Sequence, residues 1–319
     1  MAESIYQQIA DNISGGVLDR NFSPVEEGDD QTSAMFAPGA MDGICMYHMR
    51  PEALDEEGRA QMAAALKAAA ERSCQTADAL FYEWAKEHRV ISHIDDLQKY
   101  VIDHAGELDP GNVHYTALSL ILYSCHIECV KTGLSLLELF REPAEDLKEI
   151  IRLLGLSDEF TVFSLWNMHN WEKGNEEIFS LAKKVHGWGR IHAVEQLEPE
   201  TEEIRHWLLT EGTVNDVVHA YSSLTCWIKS GAQEVLFGHP AEEEWEGLNT
   251  LIKGLLDEGP VPGISQLDNA KTVLLRFLEL APGYPVTAGI KDTVQSIREW
   301  ARQGGEAFSS VVKACDRIR

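Results

Sequence analysis

Apolar positions along this chain recur at helical spacing almost from end to end, and no run alternates with the two-residue period of a strand. Ile5, Ile9 and Ile13 predict a short first helix over 4–13, ended by Gly15-Gly16. From there to Arg50 the pattern fails. Pro24, the acidic run from Glu26 to Asp30, Pro38-Gly39 and Asp42-Gly43 predict a long loop, with a brief extended piece at 44–49. Over 58–88, Met62, Leu66, Ala69, Ala70, Cys74, Ala77, Phe81 and Trp84 recur at steps of three, four and seven, which predicts one long helix. A shorter helix follows at 95–105, and 112–131 is apolar nearly all round, as a helix buried inside a stack is.

From 134 onwards amphipathic helices alternate with more apolar ones: 146–154 then 159–171, 175–185 then 190–197, and a helix begun at Thr201 then 213–229. The two stretches His192-Ala193-Val194-Glu195-Gln196-Leu197 and His219-Ala220-Tyr221-Ser222-Ser223-Leu224 share H-A-x-x-x-L at a separation of 27 residues. A period of this size marks stacked helix pairs, in which an outer helix meets water and an inner one touches neighbours on both sides. Longer helices at 242–256, 264–280, 290–303 and 305–318 follow, separated by Gly- and Pro-rich turns, and predict a C-terminal cap. The expected fold is therefore all-α: a superhelical solenoid of six or seven helix pairs, with the repeats over 58–240, a loop-rich N-terminal segment over 1–57 packed on the body and a helical cap over 241–319 continuous with the solenoid.

Composition narrows the function. The chain has 319 residues, 52 acidic against 27 basic, and a formal charge of -25. That field repels phosphate backbones and anionic membranes, so neither nucleic acid nor membrane is expected as a partner. The densest basic group, Lys183-Lys184 with Arg190, lies among glutamates. The polar N-terminus MAESIYQQIADNISGG has no signal-length apolar core, and no run approaches the roughly 18 apolar residues of a membrane span. A cytoplasmic protein with its six cysteines reduced is the expectation.

At HGWGRIHAVEQLEPETEEIRHWLLTEG, residues 186–212, followed by Asn215 and Ala220-Tyr221, the chain resembles a family of uncharacterised bacterial proteins with HEAT-like helical repeats. The likeness is strongest over 133–230 and extends upstream to GAMDGICMYHM at 39–49. It implies a scaffold that binds other macromolecules. Some members carry the label limonene hydroxylase, which implies a monooxygenase. Such chemistry uses haem, flavin or non-haem iron, yet no G-x-G-x-x-G follows a strand and no Glu-x-x-His pair repeats on two helices. No cofactor is expected.

Several residues carry possible chemistry. Cys125 and Cys129 share a helical face at i, i+4 and resemble half of a zinc site, but the surroundings are apolar and free cysteines are common core residues. His192 and His219 occupy equivalent places in successive repeats, with Glu195 at i+3 from His192, which would face the two imidazoles onto a common groove with Glu195 and Asn215 for binding, acid-base work or a metal. The competing account has each histidine specifying the stack. Trp188 and Arg190, in Gly187-Trp188-Gly189-Arg190, are the residue types of interface hot spots, as well as of contacts between repeats. Trp166 and Asn170 extend the same surface one unit earlier. Asp29, Asp30 and Asp42 near Tyr47-His48 form a carboxylate cluster in the predicted loop, with a solvated loop as the simpler account. Walker A, G-x-S-x-G and H-E-x-x-H motifs are absent from the sequence. Together these expectations describe a non-enzymatic HEAT-like protein whose concave face binds a protein or peptide, a basic one given the charge. The alternative is an enzyme with a small-molecule or metal site at the two histidines.

Overall fold

The computed structural model describes residues 3–26, 36–50, 53–140, 142–285 and 287–318. Among these the fold is all-α, and the only sheet is one two-stranded hairpin. The helices group into two compact units, Met1–Ala193 and Val194–Arg319.

In the first unit, α1 (Ile5–Asp11) is followed by strands β1 (Ile13–Ser14) and β2 (Val17–Leu18). The expected helix stop at Gly15-Gly16 is instead a hairpin turn. Both glycines take positive φ, +61° and +78°, the geometry that closes a tight two-residue turn between twisted strands. Residues 44–49, expected as extended, belong to helix α2 (Ala40–His48) up to His48. Local signals there read as loop because α2 is held by contacts remote in sequence.

The single helix expected over 58–88 is two, α3 (Glu56–Ala70) and α4 (Cys74–Ala85). Between them Arg72 adopts a left-handed φ of +60°, and its guanidinium lies 4.0 Å from the Tyr115 ring centre. The apolar stripe is continuous in sequence because both arms of the bend bury it. Helix α5 (Val90–Asp103) begins earlier than the periodicity indicates and is kinked at His93. The expected helix over 112–131 is likewise two, α6 (Pro110–Tyr123) and α7 (Ile127–Leu137). The break is stabilised from outside: the Ser124 carbonyl accepts the Ile5 N–H at 3.0 Å, and the Ile127 N–H donates to Glu26 Oε1 at 2.7 Å. Helices α8 (Glu145–Gly155), α9 (Thr161–His169), α10 (Gly174–Ala182) and α11 (Gly187–Gln196) complete the succession. Pairs form by α3 on α4, α6 on α7 and α8 on α9, and stack through α3 on α6, α4 on α7 and α7 on α9. The core runs along these contacts, with Phe81, Trp84, Phe160 and Phe163 fully buried.

The second unit holds α12 (Glu202–Thr210), α13 (Ala220–Lys229), α14 (Ala232–Phe237), α15 (Glu242–Leu255), α16 (Ala270–Leu280), α17 (Ala288–Gln303) and α18 (Ser309–Cys315). The helix expected over 213–229 begins only at Ala220, and α14, which the sequence pattern does not mark, follows it across Gly231 with φ +70°. The expected start at Thr201 is sharp because its side chain accepts the Ile204 N–H, and Thr287 accepts the Ile290 N–H in the same way, starting α17 two residues ahead of the expected 290. Trp245 anchors this unit, stacked between Phe277 at 4.6 Å and Tyr284 at 4.5 Å. Among the described residues no helix is long and apolar enough to cross a membrane.

Candidate functional site

Lys131, in α7, is completely buried, and its ammonium meets three carboxylates: Glu159 Oε1 at 2.6 Å, Asp42 Oδ2 at 2.7 Å and Glu128 Oε1 at 3.0 Å. An isolated charge in such a place would cost several kcal/mol, so the partners are required by the burial itself. Each partner has its own anchorage. Glu128 lies one turn back on α7, and its second oxygen accepts the Val90 N–H at 2.9 Å, which explains the early start of α5. Glu159 precedes α9 and accepts the Gly39 N–H at 2.8 Å. Asp42 comes from α2 and is 1% exposed.

Burial works against the Lys131 charge, but the carboxylates of Glu128, Glu159 and Asp42 outweigh it and hold the ammonium protonated well above its ordinary range. Such a lysine is a fixed cation rather than a nucleophile. Burial pushes the Asp42 carboxyl up to about 7 despite Lys131, with the negative Glu128 and Glu159 adding to the rise. Glu159 shifts the other way: burial opposes its charge, but the Lys131 charge and hydrogen bonds from Lys131 and the Gly39 N–H hold it below the usual carboxylate range.

This cluster seats α2. Along that helix, Gly39 meets Glu159, Asp42 meets Lys131, Gly43 lies under the Trp188 ring, and Tyr47 lies 6.1 Å from both the Trp188 and His192 rings. A Cβ on Gly43 would sit inside the Trp188 ring's contact distance, so only glycine allows the approach. Gly187 has φ +48°, and a Cβ on Gly189 would come within 2.5 Å of Asp158 Oδ1. The G-W-G-R glycines thus let the Asp158 carboxylate press against the start of α11. The two stretches quoted for the resemblance, 39–49 and 186 onwards, meet here.

Beside the cluster opens a cleft of about 860 Å³, lined by Glu128 and Glu159, by the α2 side chains Met41, Cys45 and Met46 with Met49 just beyond them, and by Phe36, Tyr82, Arg89, His93 and His126. Phe36, Met46 and Met49 are 59, 41 and 52% exposed, a patch of large apolar side chains at one place. The charged lining comprises five carboxylates, Glu26, Glu87, Asp95, Glu128 and Glu159, against the basic Arg50, Lys86 and Arg89.

The residues singled out from the sequence distribute as follows. Trp188, Arg190 and His192 lie together in the first unit, all buried. Arg190 Nε donates to the Val185 carbonyl at 3.0 Å. Burial depresses the His192 imidazole to about 4, so it is neutral, and its Nε2 has no hydrogen-bond partner among the described residues. Trp166 packs edge-on against Phe163, and Asn170 Nδ2 donates to the Glu138 carbonyl at 3.4 Å. Glu195, Asn215 and His219 belong to the second unit. Glu195 accepts from Thr225 Oγ1, and its carbonyl accepts from Lys229 Nζ at 2.8 Å. Asn215 is buried and shapes its own turn, accepting the Val217 N–H at 3.0 Å. His219 lines a separate cavity of about 730 Å³ with Lys253, Asp257, Glu258 and Trp300, and its imidazole is lowered by burial and by Lys253.

Cys129 is buried with its thiol pushed far up by burial, while His126 stacks on Tyr82 at 3.8 Å. Asp42 is no member of a solvated loop; a helix buries it against Lys131. Asp29 and Asp30 lie outside the described residues. Lys131, Glu128 and Glu159 do not stand out in the sequence. One signal is nonetheless present: a lysine closing a strongly apolar helix must find a counter-charge, and Glu128 stands three residues before it.

Fold and cleft together define an all-α protein of paired helices with an acidic, methionine-lined recess in its first unit. No family model, no curated protein and no solved structure matches the chain.

Proposed function

We propose that this chain is a binding protein of the helical-repeat scaffold type, with the superhelical stacking its resemblance to HEAT-like proteins implies, and that the first-unit cleft takes a peptide segment carrying apolar and basic side chains. The observation that carries the reading is the joint exposure of Phe36, Met46 and Met49 at a cleft whose charged lining is five carboxylates to three basic groups. Methionine is flexible and polarizable and adapts to varied apolar partners. Carboxylates around it favour lysine and arginine and oppose acidic segments. The fixed charge of Lys131 stiffens the floor rather than acting on a substrate.

An enzyme centred on His192 and His219, including the monooxygenase that the hydroxylase label implies, has weaker support. His192 is flanked by Tyr47 and Trp188, is buried, and lines neither cavity described above.

Calorimetric titration of the intact chain with amphipathic peptides tests the proposal. Peptides pairing Leu or Met with Lys or Arg bind at low salt, and a Met46→Ser, Met49→Ser variant of the protein weakens them at least tenfold. Equal binding of peptides with Glu in place of Lys, or no binding to either, would overturn it.

A further inference from the structure

The side of α2 not used in docking carries a separate chemistry. Of the seven methionines in the chain, three fall within 41–49, around Cys45. Met41, Cys45 and Met49 recur at steps of four with Met46 beside them, and all four line the same cleft. Met62 and Met168 are core residues, whereas Met46 and Met49 are exposed, so packing does not account for sulfur at these places. Among the described residues no three His, Cys, Asp or Glu side chains converge as ligands for a hard or borderline cation. Sulfur is the donor that is concentrated here.

The geometry is specific at one pair. Cys45 Sγ lies 3.7 Å from Met49 Sδ. Two sulfurs 3.7 Å apart, each about 2.3 Å from a shared ion as in metal–thiolate bonds, subtend roughly 107°. That angle suits tetrahedral coordination and is near trigonal. Thiolate and thioether donors select soft ions, Cu(I) foremost. We propose that α2 carries a binding site for a soft monovalent cation of the Cu(I) class, with Cys45 and Met49 as the ligand pair already in place and Met41 and Met46 as further thioethers of the same cleft. On binding, the S–H bond of Cys45 breaks, a sulfur–metal bond forms, and the proton leaves to solvent; no electron is transferred. The proposal is independent of the peptide reading, because leucine in place of methionine keeps the lining apolar while removing the donor.

The test is an anaerobic titration of the intact chain with Cu(I) in competition with bicinchoninate, followed by native mass spectrometry. One ion per chain is expected to resist the competitor. Cys45→Ser and Met49→Leu should each weaken retention at least tenfold, Cys74→Ser should leave it unchanged, and circular dichroism should show the parent helix content in all three. Retention should also fall as pH drops, because the thiol must lose its proton. Absence of a retained ion in the parent chain, or retention undiminished when Cys45→Ser and Met49→Leu are combined, would overturn the site. Peptide binding that survives Met49→Leu while the ion is lost would separate the two readings.

Discussion

Lys131 is the residue on which the first unit turns. Three carboxylates surround one ammonium, so removing the cation leaves negative groups facing one another in the interior. Lys131→Ala is expected to cost about 3–5 kcal/mol, the range for breaking a buried ion pair, measured by urea unfolding. A loss under about 1 kcal/mol, the scale of an exposed pair, would show that the cluster is solvated. Asp42 gives a prediction of opposite character. Its folded-state pKa of about 7 stands above the unfolded value of 3.8. Its stabilising contribution is therefore complete at acid pH and is lost as pH rises through 7. From about pH 5 to about pH 8 the parent chain should lose about 2–3 kcal/mol through this group, and Asp42→Asn should flatten the slope. His192 runs the other way: its imidazole is depressed from 6.5 to about 4, so its contribution is present above 6.5 and lost as pH falls towards 4. An NMR titration should find that ring neutral down to about pH 5. Of these residues only His192 and Asp42 stand out in the sequence, and Asp42 there reads as solvated. Beyond the apolar run around Lys131 and Glu128 three residues before it, its burial is not legible at that level, because it depends on residues 42 and 159 as much as on 131.

Among the elements, the decisive contact is the seat of α2. Gly39, Asp42, Gly43 and Tyr47 follow helical spacing, yet the stretch reads locally as a turn because it is rich in glycine and short of aliphatic side chains. What makes it helical is the partner surface: Glu159, Lys131, Trp188 and His192. Gly43→Ala forces a methyl group into the Trp188 ring and should cost about 1–3 kcal/mol, the usual scale of overpacking. Hydrogen exchange should show lost protection over 40–48 and unchanged protection in α6 and α7; uniform protection across all three would contradict the docking. The same logic explains the divided helices. Hydrophobic period alone joins α3 to α4 and α6 to α7, since both arms of each pair bury the same stripe. The breaks are stabilised by the left-handed Arg72 and by the Ile5 N–H that takes up the Ser124 carbonyl. The start at Thr201, by contrast, is legible because a cap acts within three residues.

Across the whole molecule, the proposed peptide binding makes charge set how a partner approaches. A net -25 spread along the sequence should speed the approach of a basic peptide and slow an acidic one. With a Debye length of about 10 Å at 0.1 M salt, the association rate of a cationic peptide should drop at least tenfold between about 20 mM and about 500 mM salt, measured by stopped-flow fluorescence. If the proposed cleft holds the peptide through Phe36 and the methionines, dissociation should change far less. An association rate indifferent to salt would remove electrostatics from the account of the cleft.

Helical character, strong acidity and most helix positions from 134 onwards can be read from the order of residues alone. These properties are carried by hydrophobic period, net charge and caps, all of which act over a few residues or none. The order of residues also marks 39–49 and 186–212 as unusual stretches. That Gly43 and Tyr47 meet Trp188 and His192, that Lys131 is buried with Asp42, Glu128 and Glu159, and that α2 presents its methionines to a cleft became visible only in the folded chain. Those facts depend on side chains far apart in sequence finding one another, as Gly39 and Glu159 do across 120 positions. Local sequence patterns carry no record of that distance, because the energy that selects such a pairing arises only once both groups have left water together.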